Sequence, residues 1–439
     1  GIIPSPHCIF KATAKLSPGS LLIFNIPLQQ FILECYWDVL DYYRKPKLVI
    51  TYADAKEEVK NLLRSCCEYR MVSDVPVGVF LSGGYDSTSV AALLQHDRKE
   101  RIKTFTIGFE EEAFNEAPFA KEIAKHLGTD HTEYYCRSEE AKQIIPELPY
   151  YYDEPFADSS AIPTSLVSKV ARQKVKVALS ADAGDEIFAG YGTYVATLKN
   201  LRRVERIPSL FWKGVHMVGS YLPLHSHFGR KVRVASKVMR LTNKARAAAV
   251  LQEIAAHMEQ ENVRRLFKVT YEDVRTTFNN DEWFHDELST IQAIHYQSYL
   301  VEDILTKVDR ATMSISLEGR EPLLDHRLIE YVAQLPTEFK FDGCSPKRIL
   351  KDIVHDYVPY RIMNRPKKGF GVPIYDWLRD DLHHLLDKYL DRQRLIKQEI
   401  FNPVIVKSLV DAFEERKIGQ DVFVWEMLMF QMWYDKWIN

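Results

Sequence analysis

Residues 77–91 read Val-Gly-Val-Phe-Leu-Ser-Gly-Gly-Tyr-Asp-Ser-Thr-Ser-Val-Ala. The apolar run Val77 to Leu81 has the length and branching of a buried strand. It breaks at Ser82-Gly83-Gly84, and a helical apolar pattern, Val90-Ala91-Ala92-Leu93-Leu94, follows Thr88. A strand, a glycine turn and a helix start together make an anion site. Residues without side chains let a phosphate approach the backbone, and the helix dipole favours negative charge. The P-loop of ordinary nucleotide triphosphatases needs a Lys followed by Ser or Thr after its last glycine. Here the helix opens instead with Asp86, Ser87 and Thr88. A carboxylate beside a phosphate site makes sense when a divalent cation bridges the two.

A second loop has the same form. After the apolar run Val175 to Leu179 comes Ser180-Ala181-Asp182-Ala183-Gly184-Asp185-Glu186-Ile187-Phe188-Ala189-Gly190-Tyr191. Three carboxylates within five residues repel one another unless a cation or a proton relieves them. Acids placed at a helix N-terminus to suit the dipole are the competing reading. Beside a phosphate loop with one carboxylate of its own, the cation reading is favoured. Asp86 and Asp185 are the expected magnesium ligands.

Around these loops strand and helix patterns alternate. Strands are expected at 77–81, 103–109, 132–135 and 175–179, with helices at 87–96, 115–127, 139–148 and 160–173. That alternation predicts an α/β fold with a doubly wound parallel sheet. Its ligands belong outside the carboxyl ends of the strands, where 82–87, 107–110 and 180–186 converge. Beyond about residue 195 the strand signal fades. Helices are expected at 242–260, 282–300, 302–318, 325–335, 347–355, 375–390 and 421–438. The last is rich in aromatics, including Phe423, Trp425, Phe430, Trp433 and Trp437, and reads as a core-packing helix.

The 439 residues allow one large domain or two to three ordinary ones. With 58 Lys and Arg against 60 Asp and Glu, no bulk basic field is available for nucleic acid. Six cysteines without a C-x-x-C pair fit a reducing compartment and no structural zinc. No uncharged apolar stretch reaches membrane-spanning length, so a cytoplasmic protein without a membrane partner is expected. His126 and His131 form no metal pattern and read as structural. The start at Gly1-Ile2-Ile3-Pro4 reads as a truncated product.

The string Ser82 to Ser87 resembles the PP-loop of the ATP pyrophosphatases. Taken with Asp182 to Tyr191, the chain resembles the synthetase domain of the glutamine-dependent asparagine synthetases. Further matches run in family order: Thr104 to Phe109, Asp153 to Asp158, Asp303 to Arg310, Leu317 to Asp325, and Arg365-Pro366-Lys367-Lys368-Gly369-Phe370. The resemblance implies that ATP and Mg2+ are used to adenylate the side-chain carboxylate of aspartate, that pyrophosphate leaves, and that ammonia displaces AMP. It implies that the backbone at Leu81 and Ile107 borders adenine and ribose, near Ser180 and Ala181. Ser82, Gly83, Gly84, Asp86 and Ser87 would cradle pyrophosphate. Asp182 would assist formation of the acyl-adenylate, Lys367 would neutralise the α-phosphate, and Tyr191 would lie near the reacting centre. The chemistry itself asks for such a lysine, because a carboxylate attacking a polyphosphate brings anions together. Outside the motif Lys367 would read as a solvated surface residue. For Arg320, among Glu318, Glu321 and Asp325, an ion-pair network and carboxylate binding both stay open; Lys307, Asp309 and Arg310 are in the same position.

Family members carry glycines where this chain has Ala181 and Ala183, a cost wherever the backbone needs a positive φ. Relatives that amidate other carboxylates, sugar uronates among them, share these motifs, so the alternative is amidation of another carboxylate such as a sugar uronate or a β-amino-acid-like substrate that cyclises. A PP-loop enzyme acting on tRNA and an inactive nucleotide-binding protein are the rivals from other classes. Residues 1–40 resemble the tail of the glutaminase domain, with 41–439 as the synthetase domain (an α/β core at about 50–195 and a helical part at about 196–439). The expectation is therefore ammonia use by this polypeptide, glutamine use through an upstream domain, and a homodimer left open.

Overall fold

The computed structural model describes residues 1–206, 238, 239, 241, 243–255, 260–269, 284–365, 371–417 and 421–439. Strands β1 (Ser20–Asn25) and β2 (Gln30–Cys35) form an antiparallel hairpin. Strands β3 (Val77–Phe80), β4 (Lys103–Phe109), β5 (Asp130–Cys136), β6 (Val177–Leu179) and β7 (Glu318–Arg320) form one parallel sheet in the order β5-β4-β3-β6-β7. Helices Tyr85–His96, Ala117–Leu127 and Ala161–Arg172 lie between the strands in sequence. A parallel sheet needs such crossovers, and helices on its faces bury its strands on both sides. Phe105, Ile107, Phe109 and Ala178 enter one apolar core, while Val79, Leu81, Val177 and Leu179 enter another. That is the period-two alternation of a strand buried on both sides.

The doubly wound sheet expected from the alternation is present. The chain steps from β3 outward to β5, then returns to place β6 on the other side of β3, in register Val79↔Leu179. This reversal makes a switch point between β3 and β6, where a crevice opens beyond the carboxyl ends. Both expected loops start there.

The fifth strand departs from expectation, since it arises within the half read as helical. Three residues, Glu318-Gly319-Arg320, are too few and too polar to show a strand period. Pairing with β6 defines them, down to the Ser180 N–H donating to the Arg320 carbonyl at 2.9 Å. Strand identity here comes from context rather than propensity.

Four expected helices are also broken. The stretch read as 139–148 is Ser138–Lys142, a 3-10 turn Ile145–Glu147 and Leu148–Tyr151, with Pro146 and Pro149 at the first turns of the latter two. The stretch read as 375–390 is Ile374–Arg379 and His383–Tyr389. The helices read as 282–300 and 302–318 are Glu287–His295, a π-helical stretch Tyr296–Leu305 and Thr306–Met313. The 242–260 helix is seen as Asn243–Ala255, with 256–259 outside the described residues.

The last helix, Asp421–Trp437, packs into the core as expected, burying Phe423, Trp425, Met427, Leu428, Met432 and Trp433. Its indoles do more. Trp425 donates to the Ala157 carbonyl at 2.7 Å, Trp433 to Asp153 at 3.0 Å and Trp437 to Pro149 at 2.6 Å. Three donors thus fix the segment that leads into Asp158. Among the described residues no helix is long and apolar enough to cross a membrane. The β1–β2 hairpin exposes Leu22, Ile23, Phe24, Phe31, Ile32 and Leu33.

Candidate active site

Gly83 explains the glycine turn. Its φ is +79°, and a Cβ there would lie 3.0 Å from the Ala120 nitrogen and 3.2 Å from the Phe119 Cβ. Only glycine meets both demands. Across the turn the Ser82 N–H donates to the Ser87 hydroxyl at 3.2 Å, and the two hydroxyls are 3.1 Å apart. Gly84 is the N-cap of helix Tyr85–His96 and brings no side chain to cap it. No cap side chain therefore covers the helix start, the end of a helix that favours anions. Arg365 clamps the turn from outside: its guanidinium donates to the Ser82 carbonyl at 3.2 Å and to Glu116 at 2.9 Å.

In the acidic loop, Ala183 takes φ +78° and is buried. The strain expected of an alanine in a glycine position is therefore real at 183, at about 1 kcal/mol. Ala181 is not among the residues with positive φ.

Asp86 and Asp185 meet on one atom. The buried Lys347 Nζ contacts the Asp86 carboxylate and lies 2.6 Å from Asp185 Oδ1. Close packing enforces this. A Cβ on Gly184 would fall 2.5 Å from Asp86 Cγ, and one on Gly190 would fall 1.9 Å from Asp185 Oδ1 and 2.0 Å from Lys347 Cε. Burial lowers the Lys347 ammonium, yet the two carboxylates hold it above its ordinary value. Without a cation, two carboxylates this close repel by roughly 3–4 kcal/mol at an effective dielectric near 20. The donor set fits magnesium. Two hard carboxylate oxygens converge on one cationic atom, and phosphate and water oxygens would complete the shell that ion prefers.

The remaining carboxylates lie alongside. Asp182 accepts from the Ser180 hydroxyl. Burial pushes its carboxyl upward, against the pull of Lys307 and of that hydroxyl. Glu186 is buried and pushed up to about 7, mainly by desolvation. It accepts the Tyr191 hydroxyl at 2.6 Å. Rings of Tyr194, His295 and Tyr299 stand 5.4 to 5.9 Å from that of Tyr191. The buried Lys307 donates to Asp158 at 2.9 Å. Burial and the adjacent Asp158 push Asp303 well up, and its Oδ1 is buried without a hydrogen bond.

The two loops expected from the motifs are thus brought together at the switch point. Leu81, the residue after β3, and Ile107, within β4, are both buried, and the Leu81 N–H donates to the Phe105 carbonyl at 2.9 Å. Lys367 lies outside the described residues. Arg320 is held in the network: it pairs with Glu318 at 2.7 Å and donates to the carbonyls of Arg70 and Val72, each at 2.8 Å. Arg310 pairs with Asp153 and Asp309. His126 bonds the Tyr357 carbonyl and His131 the Thr104 hydroxyl, the structural roles expected. Sequence reasoning missed Lys347. A single lysine after Ser345-Pro346, separated by 261 residues from Asp86, gives no signal.

Comparison with known proteins agrees with this arrangement. The asparagine synthase family model matches residues 58–435. Asparagine synthetase [glutamine-hydrolyzing] 1 of Bacillus subtilis is 29% identical, covering 98% of this chain and 66% of its own length. A putative asparagine synthetase [glutamine-hydrolyzing] of Mycobacterium tuberculosis is 31% identical, covering 98% of this chain and 65% of its own length. Amidase chyE of Penicillium rubens is 24% identical, covering 88% of this chain and 62% of its own length. The chain spans just under two thirds of the length of these curated relatives. It belongs to the asparagine synthase family.

Proposed function

We propose that this chain is an ATP-dependent carbon–nitrogen ligase that makes asparagine from aspartate. An oxygen of the β-carboxylate attacks the α-phosphorus of ATP, and the bond to pyrophosphate breaks. Ammonia then attacks the acyl carbon, AMP leaves with the carboxylate oxygen, and the nitrogen gives up a proton. The observation that carries this reading is the meeting of Asp86 and Asp185 across a glycine turn, at the switch point of a parallel sheet.

Each part of the chemistry has a candidate. The backbone at Leu81 and Ile107, with Ser180 and Ala181, receives adenosine. Ser82, Gly83, Gly84 and Ser87 receive the pyrophosphate. Asp86 and Asp185 would hold magnesium, which would supply charge neutralisation to that leaving group. Asp182, whose carboxyl accepts from the Ser180 hydroxyl, is the candidate for assisting formation of the acyl-adenylate. Tyr191 is fixed by Glu186 beside the same loop. Lys367 neutralises the α-phosphate; Arg365, two residues before it, is anchored on Ser82. Asp158, Asp182 and Asp303 around Lys307 form a mixed-charge cluster that suits a zwitterionic amino acid. Residues 1–40 are read as the tail of a glutaminase domain, in keeping with relatives named as glutamine-hydrolyzing.

Pyrophosphate release from MgATP with ammonium, compared across aspartate, a panel of uronates and no acceptor, tests this. Aspartate-dependent release with asparagine formed is expected, and Lys367→Ala lowers it at least a hundredfold. Release with a uronate alone would transfer the mechanism to another acceptor. No release with any acceptor would contradict the proposal.

A further inference from the structure

Lys347 has no part in the chemistry just proposed, yet its placement is built with care. Its backbone takes φ +57°, left-handed, at the N-cap of helix Arg348–Val354. Its N–H donates to the Phe188 carbonyl at 3.1 Å, and its own carbonyl accepts from Lys351 at 2.8 Å. Gly190 leaves the space its stem passes through. The result is an ammonium buried between the two carboxylates that would bind magnesium.

We propose that Lys347 is the resident cation of the Asp86–Asp185 pair in the nucleotide-free protein, so that the divalent cation reaches those carboxylates only together with a polyphosphate. This rests on the reading that the pair holds magnesium. Magnesium needs direct oxygen contacts near 2.0–2.1 Å and gives up its water reluctantly. The free ion meets a pair whose charge is already half offset, on oxygens already in contact with Nζ. Displacing the ammonium would leave a buried positive charge without a partner, which is strongly unfavourable. A polyphosphate changes the balance, because its oxygens offer the ammonium a new anionic partner as the metal takes the carboxylates.

The test is Mn2+ binding to the full chain followed by electron paramagnetic resonance, first without nucleotide and then with the α,β-methylene analogue of ATP. Wild type is expected to take up no Mn2+ at this pair without nucleotide and one ion with the analogue. Lys347→Met is expected to bind one Mn2+ without nucleotide, at least tenfold more tightly than wild type, and to lose it when Asp185→Asn is added. Lys347→Arg keeps a charge in place and is expected to exclude the ion as wild type does. Circular dichroism establishes that each variant is folded; Lys347→Gln replaces Lys347→Met if that variant is not. Equal binding of free Mn2+ by wild type and Lys347→Met overturns the role of Lys347 alone, as does absence of binding in both. Failure of wild type to take up Mn2+ even with the analogue overturns the metal site and the proposal with it.

Discussion

Gly190 has no room for a side chain, because Asp185 and the Lys347 stem already occupy the space a Cβ would need. Gly190→Ala is therefore expected to abolish pyrophosphate release while circular dichroism stays native; retained activity would contradict the geometry of the carboxylate pair. Ala183 poses the opposite case, since its methyl is tolerated at φ +78°. A β-branched side chain is not tolerated there, and Ala183→Val should destabilise the protein by about 2 kcal/mol or more in urea unfolding. Asp325 is a third case. It caps helix His326–Ala333 and accepts from Arg70 at 2.6 Å and from Arg327 at 2.8 Å. Burial pushes its carboxyl up, and the hydrogen bonds from Arg327 and Arg70 outweigh that and hold it well below the usual range. Its contribution is complete above the ordinary aspartate value and is lost as pH falls toward the depressed one. Asp325→Asn should cost about 3 kcal/mol at pH 7 and should flatten the loss of stability on acidification, both readable from urea midpoints at pH 7 and pH 3. At this scale the sequence was most legible where chemistry is local. Asp86 and Asp185 lie in short strand-turn-helix motifs, whereas Lys347 joins them from 261 residues away in the case of Asp86.

At the scale of elements, alternating apolar runs and glycine turns located β3, β4, β5 and β6 and their helices. A three-residue strand such as β7 left no period to read. The breaks in the expected helices at 139–148 follow Pro146 and Pro149, and those signals were present in the sequence. The last helix was legible as a core element, but its second duty was not, because an indole donor does not announce its acceptor. Trp425→Phe keeps most of the apolar surface and removes the bond to Ala157. It should cost about 1–2 kcal/mol and should speed amide exchange across residues 153–158. Unchanged exchange there would separate this helix from the placement of Asp158.

Across the whole molecule, a parallel sheet whose strand order reverses between β3 and β6 lays two acid-bearing loops side by side, and that juxtaposition underlies the proposed transfer of a carboxylate oxygen to phosphorus. The ordering of the steps has an isotopic consequence. Aspartate labelled with 18O in its β-carboxylate, incubated with MgATP and ammonium, should deliver one labelled oxygen to AMP for each asparagine formed, with none in pyrophosphate. Asparagine formed without label in AMP, or label found in phosphate or pyrophosphate, would contradict the acyl-adenylate at the centre of this account.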